Sequence, residues 1–152
     1  MSQTDTFIAK AAGLPLKDAA FYLWNEKQNI DRLEFPRPIP IMGEDLSNQA
    51  LFTRVIQATI RALLWERDTA HDGPTFDRLK RAHPEASDRK MKDAIKAAVK
   101  LDHDCMKNFS YQNGADHGVD VDRAIAKARK NNSEFSEATY DLIKWTMMTA
   151  LR

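Results

Sequence analysis

Glycine and proline are confined to a few short clusters in this chain, and that confinement restricts the possible folds more than any other feature. The five glycines and six prolines fall at Gly13 and Pro15; Pro36, Pro38, Pro40 and Gly43; Gly73 and Pro74; Pro84; and Gly114 and Gly118. Gly and Pro cost about 1 and 3 kcal/mol in a helix interior, so helices are allowed in the uninterrupted stretches between clusters. Those stretches lack the strict apolar and polar alternation of half-buried strands. The pattern predicts an all-α fold, a single-domain helical bundle over residues 1–152, with about six or seven helices and no sheet.

The first helix is expected over about residues 4–12, closing at Gly13. The second is expected from Pro15, a residue suited to a first helical turn, to about Leu33. In Glu34-Phe35-Pro36-Arg37-Pro38-Ile39-Pro40-Ile41 the alternating prolines forbid helix and predict an extended Pro-rich strap across the bundle, between helices two and three. The third helix, about 45–69, carries Leu51, Val55, Ala58, Ala62 and Trp65 on one stripe and Phe52, Ile56, Ile60 and Leu63 on the next. A face that wide suits a central helix packed on two sides. The fourth, with Phe76 and Leu79, stops at Pro84. Ser87 is expected to cap a fifth over about 88–109, with Met91, Ile95, Ala98, Cys105 and Phe109 inward. Asp120 is expected to cap a sixth, and a seventh runs from about Ser136 to Leu151.

Composition narrows the function classes. An apolar share of 43% with 30% charged residues suits a globular domain rather than a charged disordered tail. The longest apolar run, Ala19 to Trp24, falls far short of the roughly 18–20 residues that a membrane-crossing helix needs. Asp5 and Lys10 bracket Phe7-Ile8-Ala9 and prevent a signal-peptide core, so a cytoplasmic chain without membrane contact is expected. Cys105 is the single cysteine, which excludes an intramolecular disulfide and a Cys-based zinc site.

The net charge of +1 hides an asymmetry. Residues 78–107 hold nine basic side chains against five acidic ones. Lys92, Lys96, Lys100, His103 and Lys107 recur every three or four residues and form one ridge of the fifth helix, with Arg89 near its start. Arg89, Lys92, Lys96, Lys100 and Lys107 are candidates for binding phosphates, nucleic acid or an acidic partner. The same residues also describe an ordinary solvated helix face, with Asp88 and Asp93 absorbing part of the charge. Helix, Pro84 turn and basic helix together resemble a helix-turn-helix.

Arg78-Leu79-Lys80-Arg81-Ala82-His83 resembles the motif of the all-helical HEPN-type ribonucleases. The resemblance implies that His83 assists attack by a ribose 2′-hydroxyl while Arg78 steadies the phosphate. Pro84 follows directly, which places His83 at a helix end. His71-Asp72 is similar to the doublet of HD-type metal phosphohydrolases, but no His precedes it to complete that ligand set. Loop 113–122 carries oxygen ligands whose spacing does not match a calcium loop. No metal and no cofactor is therefore expected. In Asp102-His103-Asp104-Cys105, residues two apart on a helix point away from each other, so His103 does not activate Cys105. Asp102 falls on the inner stripe between Ala98 and Cys105, where an unpaired carboxylate is costly, so it is expected at the stripe's edge or else opposite a cation from another helix.

No phosphate-binding glycine loop or nucleophile elbow is present, so the chain reads as a binder rather than an enzyme. The seventh helix is apolar over more than one core seam requires, and Trp145, Met147, Met148 and Leu151 are candidates for a protein interface. The leading expectation is a helical binding or regulatory module acting through protein contacts, as a homodimer. Nucleic-acid association through residues 78–107 is the second expectation. A small hydrolase or ribonuclease using Arg78 and His83 is the third.

Overall fold

Where the chain closes each helix follows largely from its punctuation. The computed structural model describes residues 2–34, 52–56, 59, 60, 63, 73–114 and 116–151. Seven helices have defined bounds among them: α1 (Gln3–Ala12), α2 (Leu16–Asn25), α3 (Lys27–Glu34), α4 (Pro74–Ala82), α5 (Asp88–Asn108), α6 (His117–Arg129) and α7 (Glu137–Ala150). Residues 52–56, 59, 60 and 63 are also helical, and no strand occurs among the described residues. The all-α reading holds. The Pro-rich strap and most of the expected third helix lie outside the described residues, as do His71 and Asp72.

Local chemistry accounts for the ends. Ser2 and Asp5 form a reciprocal capping box at α1, each side chain accepting from the other's backbone N–H at 3.1 Å. Pro74 occupies the first turn of α4, where its missing N–H costs nothing. Ser87 caps α5 by accepting from the Lys90 N–H, as its sequence position suggests.

Two boundaries differ from expectation. The expected second helix is two helices, because the chain turns at Glu26, whose N–H bonds back to Tyr22 and Trp24 carbonyls. Neither Gly nor Pro marks that break. It turns Lys27 and Ile30 inward and brings Asp31 and Glu34 to Arg78. The α6 cap is Asp116, which accepts from the Val119 N–H, rather than Asp120. Asp120 sits buried in the first turn and reaches back to the Gln112 and Asn113 N–H groups.

The core forms where α5 lies along α2 and α6, with α4 and α7 closing the sides. Leu23, Ile30, Leu79, Met91, Ile95, Leu101 and Val121 are fully buried. Ala19, Ala20, Ala94, Ala98, Ala124 and Ala128 are buried beside them, and side chains that small let the helix axes approach closely. Phe21, Phe135 and Tyr140 form an edge-to-face chain with centroids 6.3 and 6.5 Å apart, locking the turn before α7 onto α2.

Polar side chains tie distant helices together. Asp18 of α2 is buried at the start of α7, where its Oδ1 accepts from the Ser136 N–H and hydroxyl at 2.8 Å and from the Thr139 hydroxyl at 2.5 Å. Asn132, just past the end of α6, donates to Asp104 and to the Ala128 carbonyl, and accepts from Lys100. Its own carbonyl accepts from the Tyr140 hydroxyl.

Candidate functional site

Arg78 and His83 stand five residues apart, and the fold gives each a different task. Arg78 is 2% exposed, and its Nη2 pairs with Asp31 at 2.6 Å and Glu34 at 3.0 Å. Burial works against the charged guanidinium, but the hydrogen bonds it donates to Glu34 and Asp31 outweigh it and hold the charge in place. Lys27, also buried, meets Asp31 at 3.1 Å. His83 caps the end of α4, with Nδ1 facing Glu85 at 3.1 Å and Nε2 facing the Ala11 carbonyl at 3.2 Å. Arg78 therefore faces the carboxylates of α3, and His83 faces the end of α1. Both residues of the ribonuclease-like motif are thus engaged with other helices of the fold.

The α5 cluster behaves as its spacing implies. Burial, with Asp102 and Asp104 nearby, pushes the Cys105 thiol up to about 12, which leaves it protonated and inert at neutral pH. Asp102 lies at the edge of the core, where the Trp24 indole N–H donates to it at 3.4 Å. Its pKa is raised, chiefly by burial, and the indole bond offsets only part of that. The folded chain thus holds the Asp102 proton more tightly than the unfolded chain. The resulting cost is absent below the ordinary carboxylate range and complete once pH exceeds the folded-state value. Asp102→Asn, which keeps an acceptor for the indole, is expected to raise the melting temperature at pH 7. Thermal scans across the acid range should show the advantage shrinking as pH falls.

Among the described residues no group of three or more His, Cys, Asp or Glu side chains is placed to hold a metal ion. No described helix is long and apolar enough to cross a membrane.

The basic ridge is exposed along α5, but its members differ. Arg89, Lys96 and Lys107 are solvent-exposed and make no ion pair with the described residues, and Lys92 lies 5.8 Å over the Phe76 ring. Lys100 is drawn aside to Asp104 at 3.0 Å, the Asn132 side chain at 3.1 Å and the Asn131 carbonyl at 3.3 Å. It holds the turn between α6 and α7 while its side chain stays 55% exposed.

On α7 the four candidate interface residues separate. Met147 is buried in the core, Met148 and Leu151 are half-buried against it, and Trp145 is 66% exposed. One exposed aromatic is ordinary for a soluble surface.

A more extensive apolar face lies elsewhere. Phe52, Val55, Ile56, Ile60 and Leu63 are between 42% and 66% exposed. At 100° per residue these five positions share one side of a helix. The described members of both expected stripes are thus exposed, while Leu51, Ala58, Ala62 and Trp65, which complete the expected central helix, lie outside the described residues. The wide apolar pattern was legible in the sequence; whether its partner lies inside or outside the chain was not.

Comparison with protein-family models, with curated proteins and with solved structures finds no match to this chain.

Proposed function

We propose that the chain is a helical protein-binding module that pairs with a second copy of itself through the face of Phe52, Val55, Ile56, Ile60 and Leu63. The supporting observation is the exposure of all five side chains on one helical side. Monomeric soluble proteins scatter exposed apolar residues singly, whereas a contiguous row marks a contact surface. Spacings of three, four and seven residues are those by which two helices interlock. Size favours a second copy as the occupant. Covering five such side chains removes roughly 100 Å² of apolar surface each. A two-fold pairing then buries about 1,000 Å² in total, the lower bound of a specific interface. A symmetric pair needs no complementary partner, because each face meets its own copy.

Light scattering or sedimentation of the full chain tests the reading. The expected result is a species of about twice 17.4 kDa that dissociates on dilution. The variant carrying Phe52→Asp and Ile60→Asp should be monomeric with an unchanged helical circular dichroism spectrum, since both side chains already face water in the single chain. A parent that stays monomeric at millimolar concentration, or a dimer that survives both substitutions, would sink the proposal.

A further inference from the structure

The basic ridge of α5 leads into an aromatic group that the pairing face does not use. Arg89, Lys92, Lys96, His103 and Lys107 are exposed along this helix, and at 1.5 Å per residue Arg89 and Lys107 stand about 27 Å apart. Most of the neighbouring carboxylates are already engaged. Asp88 pairs with Lys80 at 3.4 Å, Asp104 is held by Lys100 and Asn132, and Asp102 faces Trp24. Asp93 alone stands exposed on the flank of the ridge without a paired cation among the described residues. The ridge remains positive overall.

Immediately past α5, Tyr111 is 66% exposed, yet its ring is not loose. It meets Phe109 edge to face at 4.9 Å and His117 at 5.4 Å. Two edge contacts fix the ring's orientation while most of its surface stays in water. An aromatic so held, at the end of a row of cations, provides the two elements by which proteins grip single-stranded nucleic acid: cations for phosphates and a ring for a base. A duplex offers no free base face to such a ring.

We propose that Arg89, Lys92, Lys96, Lys107 and Tyr111 form a track for single-stranded nucleic acid, with phosphates along α5 and a base stacked on Tyr111. Fluorescence anisotropy at low salt tests it, using a labelled twelve-nucleotide oligouridylate, its duplex with oligoadenylate, and unlabelled inorganic polyphosphate as competitor. The expected result is binding of the single strand in preference to the duplex. Tyr111→Ala should weaken it about 5- to 100-fold, the effect of losing one base stack, while Tyr111→Phe retains it. The variant with Lys96→Gln and Lys107→Gln should bind more weakly and reduce the slope of log affinity against log salt by about 1.4, or 0.7 per lost phosphate contact. Absence of binding at low salt overturns the proposal. So does a preference for the duplex, or affinity unchanged in Tyr111→Ala with polyphosphate competing equally well. The readout involves none of the residues of the pairing face, so either proposal can fail alone.

Discussion

Arg78→Ala is expected to destabilise the chain by about 3 kcal/mol, whereas Arg78→Met should cost less than about 1 kcal/mol. Alanine removes the cation that two carboxylates face and leaves a void where a long side chain was 2% exposed. The void carries most of that loss, since a large-to-small change at a buried site costs about 2–5 kcal/mol. The broken pair adds little, because Asp31 and Glu34 are about 30% exposed and water can solvate them once Arg78 is gone. Methionine restores the packing, and Asp31 keeps Lys27 at 3.1 Å. The guanidinium also carries its own penalty, since Nε and Nη1 are buried with no hydrogen-bond partner among the described residues. Removing the whole group relieves that penalty, which is why the apolar replacement is tolerated. Thermal unfolding should show Arg78→Ala melting about 6–12 °C below the parent and Arg78→Met close to it. Equal losses in both variants would mean that the charge itself holds α3 to α4.

The second large effect is expected at Asp18. Its carboxylate accepts three hydrogen bonds at the N-terminus of α7, where the helix dipole also favours a negative charge. Asp18→Ala leaves the buried Thr139 hydroxyl and the more exposed Ser136 N–H and hydroxyl without their acceptor, at a cost of about 3 kcal/mol. Asp18→Asn keeps one acceptor oxygen and loses the charge, and should cost about half as much. Urea titrations should report both as shifts in midpoint at constant slope. Hydrogen exchange should place the first loss of protection in α7. An Asp18→Ala variant as stable as the parent would show that solvent replaces the carboxylate at no cost.

What the sequence revealed, and what it hid, divides along the range of the interactions involved. Helix ends at Gly13, Pro74, Ser87 and Ser136 are local events, decided by residues within one turn, and they were legible. The break at Glu26 was not, because the residues there are ordinary helix formers and tertiary packing overrides them. The burial of Met91, Ile95, Ala98 and Cys105 followed from period alone. The partners of polar groups did not: nothing in the spacing links Asp18 to Ser136 or Arg78 to Asp31. Asp120 shows how a correct rule reached the wrong residue. Asp116 and Asp120 both suit a helix start, and only the fold shows that the second is spent on the preceding loop. The candidate sites divided the same way. Exposure of Arg89, Lys96 and Lys107 followed from the helical period, but the diversion of Lys100 depends on a turn 31 residues away.

The bond between Asp18 and Ser136 spans 118 positions, and that distance has a consequence during synthesis. A ribosome adding 5–20 residues per second needs about 6–24 s to make the intervening chain. Throughout that interval the α2 carboxylate has no helix end to meet and keeps its water. The contacts of Asp18 with Ser136 and Thr139 therefore form only after α7 has been made, so this end of α2 is the part of the fold whose partners arrive late.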